Sequence, residues 1–499
     1  MEWLDLISGI VIAFTIFYFY VKHKQSYWER EKVPFIKPMF FLGISGAGLV
    51  NRIPLKDRFH KVYKDLKAKS NKFGGLYMFI SPAMIFVDID LVKSVLIRDF
   101  HHFEDRGFYV NEKSDPLSAH LFSLSGNTWR SLRAKLTPTF TSGRMKTMFP
   151  IIAGISQELQ KVFLEEAAKD SSIEVKNLLA RFNTDVIGNC AFGLECNSLK
   201  DPKTEFRRYG IMAIRRNTFD GLKQAFLLAF PKVGKFFDMM LTNPEVASFY
   251  IRVVRETVEH REKNNIQRND FMNLLIGLKN SESESERLTV VELAAQSFMF
   301  FLAGFETSST AMMYCLYELA LNPDIQEKTR EHINQVLQKH NNEFTYEAMM
   351  DMTYLEQVVN ETLRKYPFVT NLLRICTKDY QIPNSKVTIK KGTRIFVPIY
   401  GLHHDPEYYP NPDKFDPERF TKEAIASRPQ CTYIPFGDGP RVCIGMRFGL
   451  MQVRIGLAAI LQILKFSPCA KTDIPLTGFS LTQPLLNLIN GIHLKVERL

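Results

Sequence analysis

From Leu6 to Val21 the chain carries no charge and is rich in Ile, Phe and Tyr. With Trp3 and Leu4 the run approaches the length needed to cross a bilayer. Charge returns at Lys22, Lys24, Arg30 and Lys32, and Pro34 and Pro38 then break the chain. The next amphipathic pattern predicts a helix over Ile53 to Lys69, and apolar runs at Leu76 to Ile80 and Ala83 to Val87 predict a hairpin turning at Ser81-Pro82. Long amphipathic patterns follow, with a second short β region over Lys386 to Tyr400 around Lys391-Gly392. Between Lys279 and Arg287 a Ser-Glu repeat has no apolar residue to bury and predicts a solvated loop. Thr289 to Glu292 forms a capping-box pattern opening a helix to Leu321. That helix is apolar nearly all round through Phe298, Met299, Phe300, Phe301, Leu302 and Phe305, so it predicts burial, and Glu306 argues against a second membrane span. A second capping-box pattern, Thr353 to Glu356, opens a helix that stops before Pro367, and Met446 to Leu464 predicts a last long helix. The fold class is mainly α with small β-sheets.

Composition narrows the organisation. Length alone, 499 residues, suggests about three domains, but no Pro, Gly or Ser-rich stretch separates differently composed halves after Arg52. The expectation is an N-terminal membrane anchor over residues 1–24, a linker and hinge over 25–52, and one large domain over 53–499. A cleaved signal peptide would need a positive leading region, whereas Glu2 and Asp5 precede the apolar run and no A-x-A site follows. The basic flank then places the N-terminus outside and the main body in the cytosol. The net charge of +11 is spread along the chain rather than clustered, which argues against nucleic-acid binding.

The seven cysteines form no C-x-x-C pair, which argues against a zinc or iron–sulfur site, and so long a chain does not need a disulfide framework. Cys443 stands apart. It lies in Phe436-Gly437-Asp438-Gly439-Pro440-Arg441-Val442-Cys443-Ile444-Gly445, directly ahead of the last helix. Phe436, Gly439, Arg441, Cys443 and Gly445 at these spacings should arise by chance on the order of once in ten thousand chains. A helix start stabilises a thiolate through orphan N–H groups, glycines let backbone approach a flat ligand, and Arg441 offers a fixed cation. One cysteine cannot build a zinc site, but it can be the axial ligand of a haem.

On these residues the loop resembles the haem-binding loop of the cytochrome P-450 superfamily. The resemblance implies the P-450 fold, a single haem domain with an N-terminal anchor, and a monooxygenase carrying haem b with Cys443 as the iron ligand. Further motifs stand in the family's order. In Ala303-Gly304-Phe305-Glu306-Thr307, residues 303, 304 and 307 share a helix face, and Thr307 can bond back to the Ala303 carbonyl. The resemblance makes this the oxygen-activating helix, where Thr307 assisted by Glu306 steers protons to dioxygen. Glu361 and Arg364, an E-x-x-R pair, would join Arg419 of Pro417-Glu418-Arg419-Phe420 in a structural network locking the cysteine loop. Trp129, Arg133, Arg374 and Arg441 would hold the haem propionates, with Ala303, Gly304, Phe436 and Gly445 as further haem contacts. The residues alone leave a surface ion pair and an ordinary core threonine open.

Asp105 to Tyr109, Asp115 to His120 and Thr137 to Gly143 are similar to the microsomal enzymes of insect family 6, which oxidise plant toxins and insecticides. By that resemblance the substrates are lipophilic xenobiotics, meeting Phe108, Phe122, Phe301, Phe305, Val369 and Leu372; each of these reads equally well as core. The chain carries no nucleotide or flavin motif, and Val442 takes the third glycine position of an incomplete G-x-G-x-x-G. Electrons must come from another protein. The family implies NADPH-cytochrome P-450 reductase at the endoplasmic reticulum membrane, with cytochrome b5 as an accessory donor and membrane lipid around the anchor. Arg130, Lys135, Arg144, Lys146 and Arg447 offer a docking face, or an ordinary solvated one. Two other readings are a haem-thiolate isomerase or dehydratase acting on peroxides, against which Glu306-Thr307 argues, and a non-enzymatic membrane haem sensor.

Overall fold

The uncharged run becomes α1 (Glu2–Gln25), a helix with almost no packing partners: Phe14 and Phe19 are 70% and 65% exposed. In the computed structural model, which describes residues 2–44, 46, 52–214, 218–268, 270–284, 287–481 and 485–499, α1 meets the rest of the chain through its C-terminal part, from Phe17 onward. Ser285 and Glu286 of the Ser-Glu repeat, and residues 45 and 47–51 of the expected linker, lie outside the described residues. Val21 is fully buried, and Gln25 Nε2 donates to the carbonyls of Met39 and Phe79 at 3.0 and 3.3 Å.

The stretch expected as a hinge is fastened to the first strand. Trp28 is buried, its Nε1 donates to the Leu76 carbonyl at 2.9 Å, and its backbone N–H donates to the Tyr77 hydroxyl at 3.0 Å. Phe35 bridges Gly75, where any Cβ would lie 2.4 Å from the Trp28 ring, so the indole fits only against glycine.

The helical body follows with α2 (Leu55–Ala68), α3 (Gly126–Leu136), α4 (Ser142–Lys169), α5 (Val175–Ile187), α6 (Thr218–Ala229), α7 (Pro231–Phe236), α8 (Pro244–Lys263), α9 (Val290–Leu321), α10 (Thr353–Lys365) and α11 (Met446–Ile463). The central α9 packs against α5, α8, α10 and α11. Its capping box is present as expected, Thr289 accepting from the Glu292 N–H and Glu292 from the Thr289 N–H. The second expected box is absent. Met352 is the cap of α10 and Thr353 already sits in its first turn, with no side-chain cap bond. The T-x-x-E spacing is the same, but the backbone enters the helix one residue early.

The strands are β1 (Phe73–Met78), β2 (Ser81–Phe86), β3 (Ser172–Glu174), β4 (Leu372–Ile375), β5 (Tyr380–Gln381), β6 (Thr388–Ile389), β7 (Arg394–Val397), β8 (Leu464–Pro468) and β9 (His493–Arg498). They form sheets ordered β1-β2-β7-β4, β3-β9-β8 and β5-β6. The first hairpin turns at Phe79-Ile80 rather than Ser81-Pro82, because Ser81 pairs with Met78 and Pro82 with Tyr77. A proline is tolerated among the first residues of a strand, and the turn is made by Phe79 at φ +53°. The second β region divides at Gly392, φ +91°: β6 pairs with β5 while β7 joins the larger sheet, and Tyr400 is helical, within Ile399–His403.

A second exposed apolar patch lies at the α6–α7 tip, where Phe219, Phe236 and Phe237 are 72%, 81% and 68% exposed. Aromatic contacts connect it to α1: Phe17 to Phe41 at 5.6 Å, Phe41 to Phe79 at 5.7 Å, and Phe79 to Phe226 and Phe230 at 6.3 and 5.9 Å.

Candidate functional site

One cavity of about 1080 Å³ runs between α9 and the loop ahead of α11, and Cys443 opens onto it. The loop is shaped by short bonds: Cys443 N–H donates to the Phe436 carbonyl at 3.0 Å, and the Asp438 carboxylate accepts from Gly439 N–H at 2.7 Å. Gly439 is obligatory, since at φ +69° an added Cβ would lie 1.9 Å from the Leu96 carbonyl oxygen. The accessible surface that Cys443 retains faces the cavity. Burial pushes its thiol pKa up, and the Gly445 N–H, Arg106 and Arg133 pull the other way without cancelling that rise. A further cation beside the thiol would favour the thiolate at this position.

Across the cavity, Thr307 Oγ1 donates to the Ala303 carbonyl at 2.5 Å, as the sequence predicts. Ala303, Gly304 and Thr307 all line the cavity. Gly304 has a second constraint, because its Cβ would lie 2.3 Å from Ile187 Cδ1 of α5. Phe301 and Phe305 do not line the cavity. They stack on each other at 5.3 Å, at 0% and 3% exposure, and Phe301 packs on Phe206 and Tyr250. Two residues on from 301 or 305 is 200° round a helix, so the face of Ala303 and Thr307 is the opposite one. Glu306 lines the cavity and its carboxylate lies 2.6 Å from Lys176 Nζ of α5. No local motif marks Lys176, whose partner is 130 residues away in the chain.

At one end of the cavity four guanidinium groups converge: Arg106, Arg133, Arg374 and Arg441. Arg441 lies over the Trp129 ring at 3.6 Å and donates to the Glu104 and Leu124 carbonyls at 2.8 and 2.9 Å. Arg374 Nε and Nη2 and Arg441 Nη1 are buried without a hydrogen-bond partner among the described residues. Asp105, 3.6 Å from Arg441, is the one carboxylate ion-paired with any of the four among the described residues. Burial lowers the pKa of all four, and repulsion from neighbouring arginines adds to it at Arg106, Arg374 and Arg441: Arg441 falls to about 9 and Arg106 to about 10. Orphaned, crowded cations fit a ligand carrying two carboxylates, as haem does. Arg106 had no role assigned from sequence, although it stands inside one of the motifs that carry the resemblance.

Glu361, Arg364 and Arg419 are brought together. Arg364 grips Glu361 in fork geometry, Nε to Oε2 at 2.7 Å and Nη2 to Oε1 at 2.8 Å, with both side chains fully buried. Arg419 Nε stands 3.5 Å from the same carboxylate, and Asp416 N–H donates to it at 2.9 Å. The link to the cysteine loop is His403, which sequence reasoning missed. Arg364 Nη1 donates to its carbonyl at 2.9 Å, and its Nε2 accepts the Ile434 N–H at 3.0 Å. Burial, with Arg364 nearby, lowers the His403 pKa to about 3, so the ring is neutral and can accept that bond.

Phe108 and Phe122, with rings 5.0 Å apart, line the cavity together with Val369 and Leu372. Of the candidate docking cations, Arg130, Arg144, Lys146 and Arg447 are exposed and Lys135 is half-buried; Arg130 pairs with Glu104 and Lys146 with Glu347.

The family model described as cytochrome P-450 matches residues 38–495. Probable cytochromes P-450 6a23 and 6a20 of Drosophila melanogaster are each 46% identical to this chain, over 99% of both partners. Cytochrome P-450 6a8 of the same organism is 43% identical, over 99% of this chain and 98% of its own.

Proposed function

The chain belongs to the cytochrome P-450 family and is a P-450 monooxygenase, a haem-dependent oxidoreductase with a redox partner and a small-molecule substrate; from that premise we propose that it oxidises lipophilic xenobiotics, plant toxins and insecticides with NADPH-derived electrons. The observation that carries this reading is one cavity shared by Cys443, Thr307 and the four arginines. Haem b, when bound, supplies the activation of dioxygen that no side chain offers.

In this proposal Cys443 would ligate the haem iron. Trp129, Arg133, Arg374 and Arg441, joined by Arg106, hold the propionates, while Phe436, Gly445, Ala303 and Gly304 shape the faces of the slot. Thr307 keeps its hydroxyl proton on the Ala303 carbonyl and presents its oxygen lone pairs to the cavity, ready to relay a proton. Glu306, held by Lys176, is the ionisable group next in the relay. Phe108, Phe122, Val369 and Leu372 exclude water and hold the apolar substrate. Glu361, Arg364 and Arg419 remain structural.

NADPH-cytochrome P-450 reductase, with cytochrome b5 as an accessory donor, would approach the Cys443 side through Arg130, Lys135, Arg144, Lys146 and Arg447. The anchor α1 and the aromatic patch at the α6–α7 tip would hold the body to the endoplasmic reticulum membrane on its cytosolic face. Domain boundaries at 24 and 52 follow the same proposal. Reduced, haem-loaded protein exposed to carbon monoxide should show the red-shifted Soret band of a thiolate ligand, and added reductase with NADPH should oxidise a lipophilic probe. A normal band removes Cys443 as ligand; a thiolate band without product removes the monooxygenase reading in favour of a haem sensor.

A further inference from the structure

The segment from Ser118 to Ser123 crosses one wall of the cavity and carries His120, the one imidazole among the described residues that line it. Its backbone is pinned on both sides of this residue. Gln296 of α9 accepts the Leu121 N–H at 2.9 Å and donates to the Ala119 carbonyl at 3.2 Å. The ring is pinned too, with His120 Nδ1 lying 3.1 Å from Ser123 Oγ.

Which nitrogen carries the proton follows from the serine. A hydroxyl has one hydrogen to give, and Ser123 Oγ gives it to the Ser118 carbonyl, its nearest acceptor. Oγ therefore meets Nδ1 as an acceptor, Nδ1 is the protonated nitrogen, and Nε2 carries the lone pair. Nε2 has no protein partner among the described residues. Burial, opposed by a bond to the residue's own backbone and helped weakly by Arg106, lowers the His120 pKa to about 4, so the ring is neutral at working pH. A fixed acceptor without a donor, set in a largely apolar wall, favours a ligand that brings one.

We infer that His120 Nε2 is a subsite for a hydrogen-bond donor, selecting neutral lipophilic substrates that carry one hydroxyl or N–H over otherwise equal ones that carry none. The inference rests on the monooxygenase pocket proposed above. Hydrogen bonds of this kind contribute about 0.5–1.5 kcal/mol net, a preference of about two- to tenfold.

The test uses the full-length haem-loaded chain at pH 7.5 and two probes of matched shape, 1-naphthol and 1-methoxynaphthalene, with dissociation constants from equilibrium dialysis. His120→Phe should weaken the naphthol about five- to tenfold and leave the ether unchanged, collapsing the ratio of the two constants. His120→Gln, which restores an acceptor oxygen, should recover at least half of the lost preference and stands in if the phenylalanine variant does not fold. An unchanged ratio in both variants overturns the subsite while leaving the pocket reading intact, and equal weakening of both probes also overturns it by assigning His120 a merely structural role. Binding of neither probe to the unmodified protein overturns the pocket reading and the subsite with it.

Discussion

Replacing Glu361 with glutamine removes one charge from the structural network while preserving its shape. The carboxylate is fully buried, accepts two bonds from Arg364 and one from the Asp416 N–H, and has Arg419 Nε at 3.5 Å. Two unit charges ~4 Å apart attract by about 4 kcal/mol at an effective dielectric near 20. Independently, removing one partner of a buried ion pair costs about 3–5 kcal/mol, because the other charge stays uncompensated. Both routes give about 4 kcal/mol, roughly a thousandfold rise in molecules whose network is open. The loss should reach the cysteine loop through His403, since Arg364 holds its carbonyl and its ring holds the Ile434 N–H. Hydrogen exchange of the peptide containing Ile434 should therefore accelerate by orders of magnitude, with haem occupancy falling in parallel. The double variant Glu361→Leu with Arg364→Met, which removes both charges, should lose less than Glu361→Gln alone. Exchange at Ile434 within threefold of the unmodified protein would refute the reasoning, as would a double variant no better than the single one.

Thr307→Ala should leave probe binding unchanged while product formed per NADPH consumed falls about a hundredfold, the low end of what a positioned proton donor contributes; unchanged coupling would remove Thr307 from the relay. Arg374→Leu should speed haem loss to an acceptor protein about tenfold or more, since a charge-assisted hydrogen bond contributes about 1.5–3 kcal/mol. The same change should stabilise the haem-free chain, because two buried nitrogens without partners disappear; slower haem loss would contradict this. Acid should destabilise the protein through His403 and His120, whose folded pKa values of about 3 and 4 lie below the unfolded 6.5. The unfolded chain then takes up protons first as pH falls, so the contribution is fully present above about 6.5. It is lost at about 1.4 kcal/mol per pH unit for each ring between about 6.5 and 4. Denaturant midpoints at pH 7.5, 6 and 5 would report this slope, to which His60, His332 and His404, whose pKa values burial also lowers, add their own shares, and His403→Gln should remove one ring's share of it.

What was legible in the sequence is what is local. The loop from Phe436 to Gly445 states its chemistry in ten consecutive positions, and the Ala303 to Thr307 bond and the Thr289 capping box need only one turn of helix. What was not legible depends on residues meeting from afar. Lys176 with Glu306, His403 with Ile434, and Arg106 with the other arginines are consequences of packing, not spacing. Phe301 and Phe305 mislead for a different reason: a helix that is apolar all round gives no sign of which side faces a cavity and which faces a core. Ser81-Pro82 and Thr353 mislead because a residue's preference for a turn or cap does not say which of two neighbouring positions the backbone will use.

The fastening of Gln25 and Trp28 to the first sheet bears on how the enzyme meets its electron donor. A helix of this length spans about 36 Å, enough for a bilayer core. On the proposed membrane reading it ends in a rigid joint rather than a swivel, because its last turn and the residues after it are hydrogen-bonded into the body. The body would then keep a set tilt and height above the lipid, and the search between enzyme and donor would be a planar one with most wrong orientations removed in advance. Cutting the helix after Tyr20 would free the body to tumble, whereas cutting after Trp28 would also open the sheet.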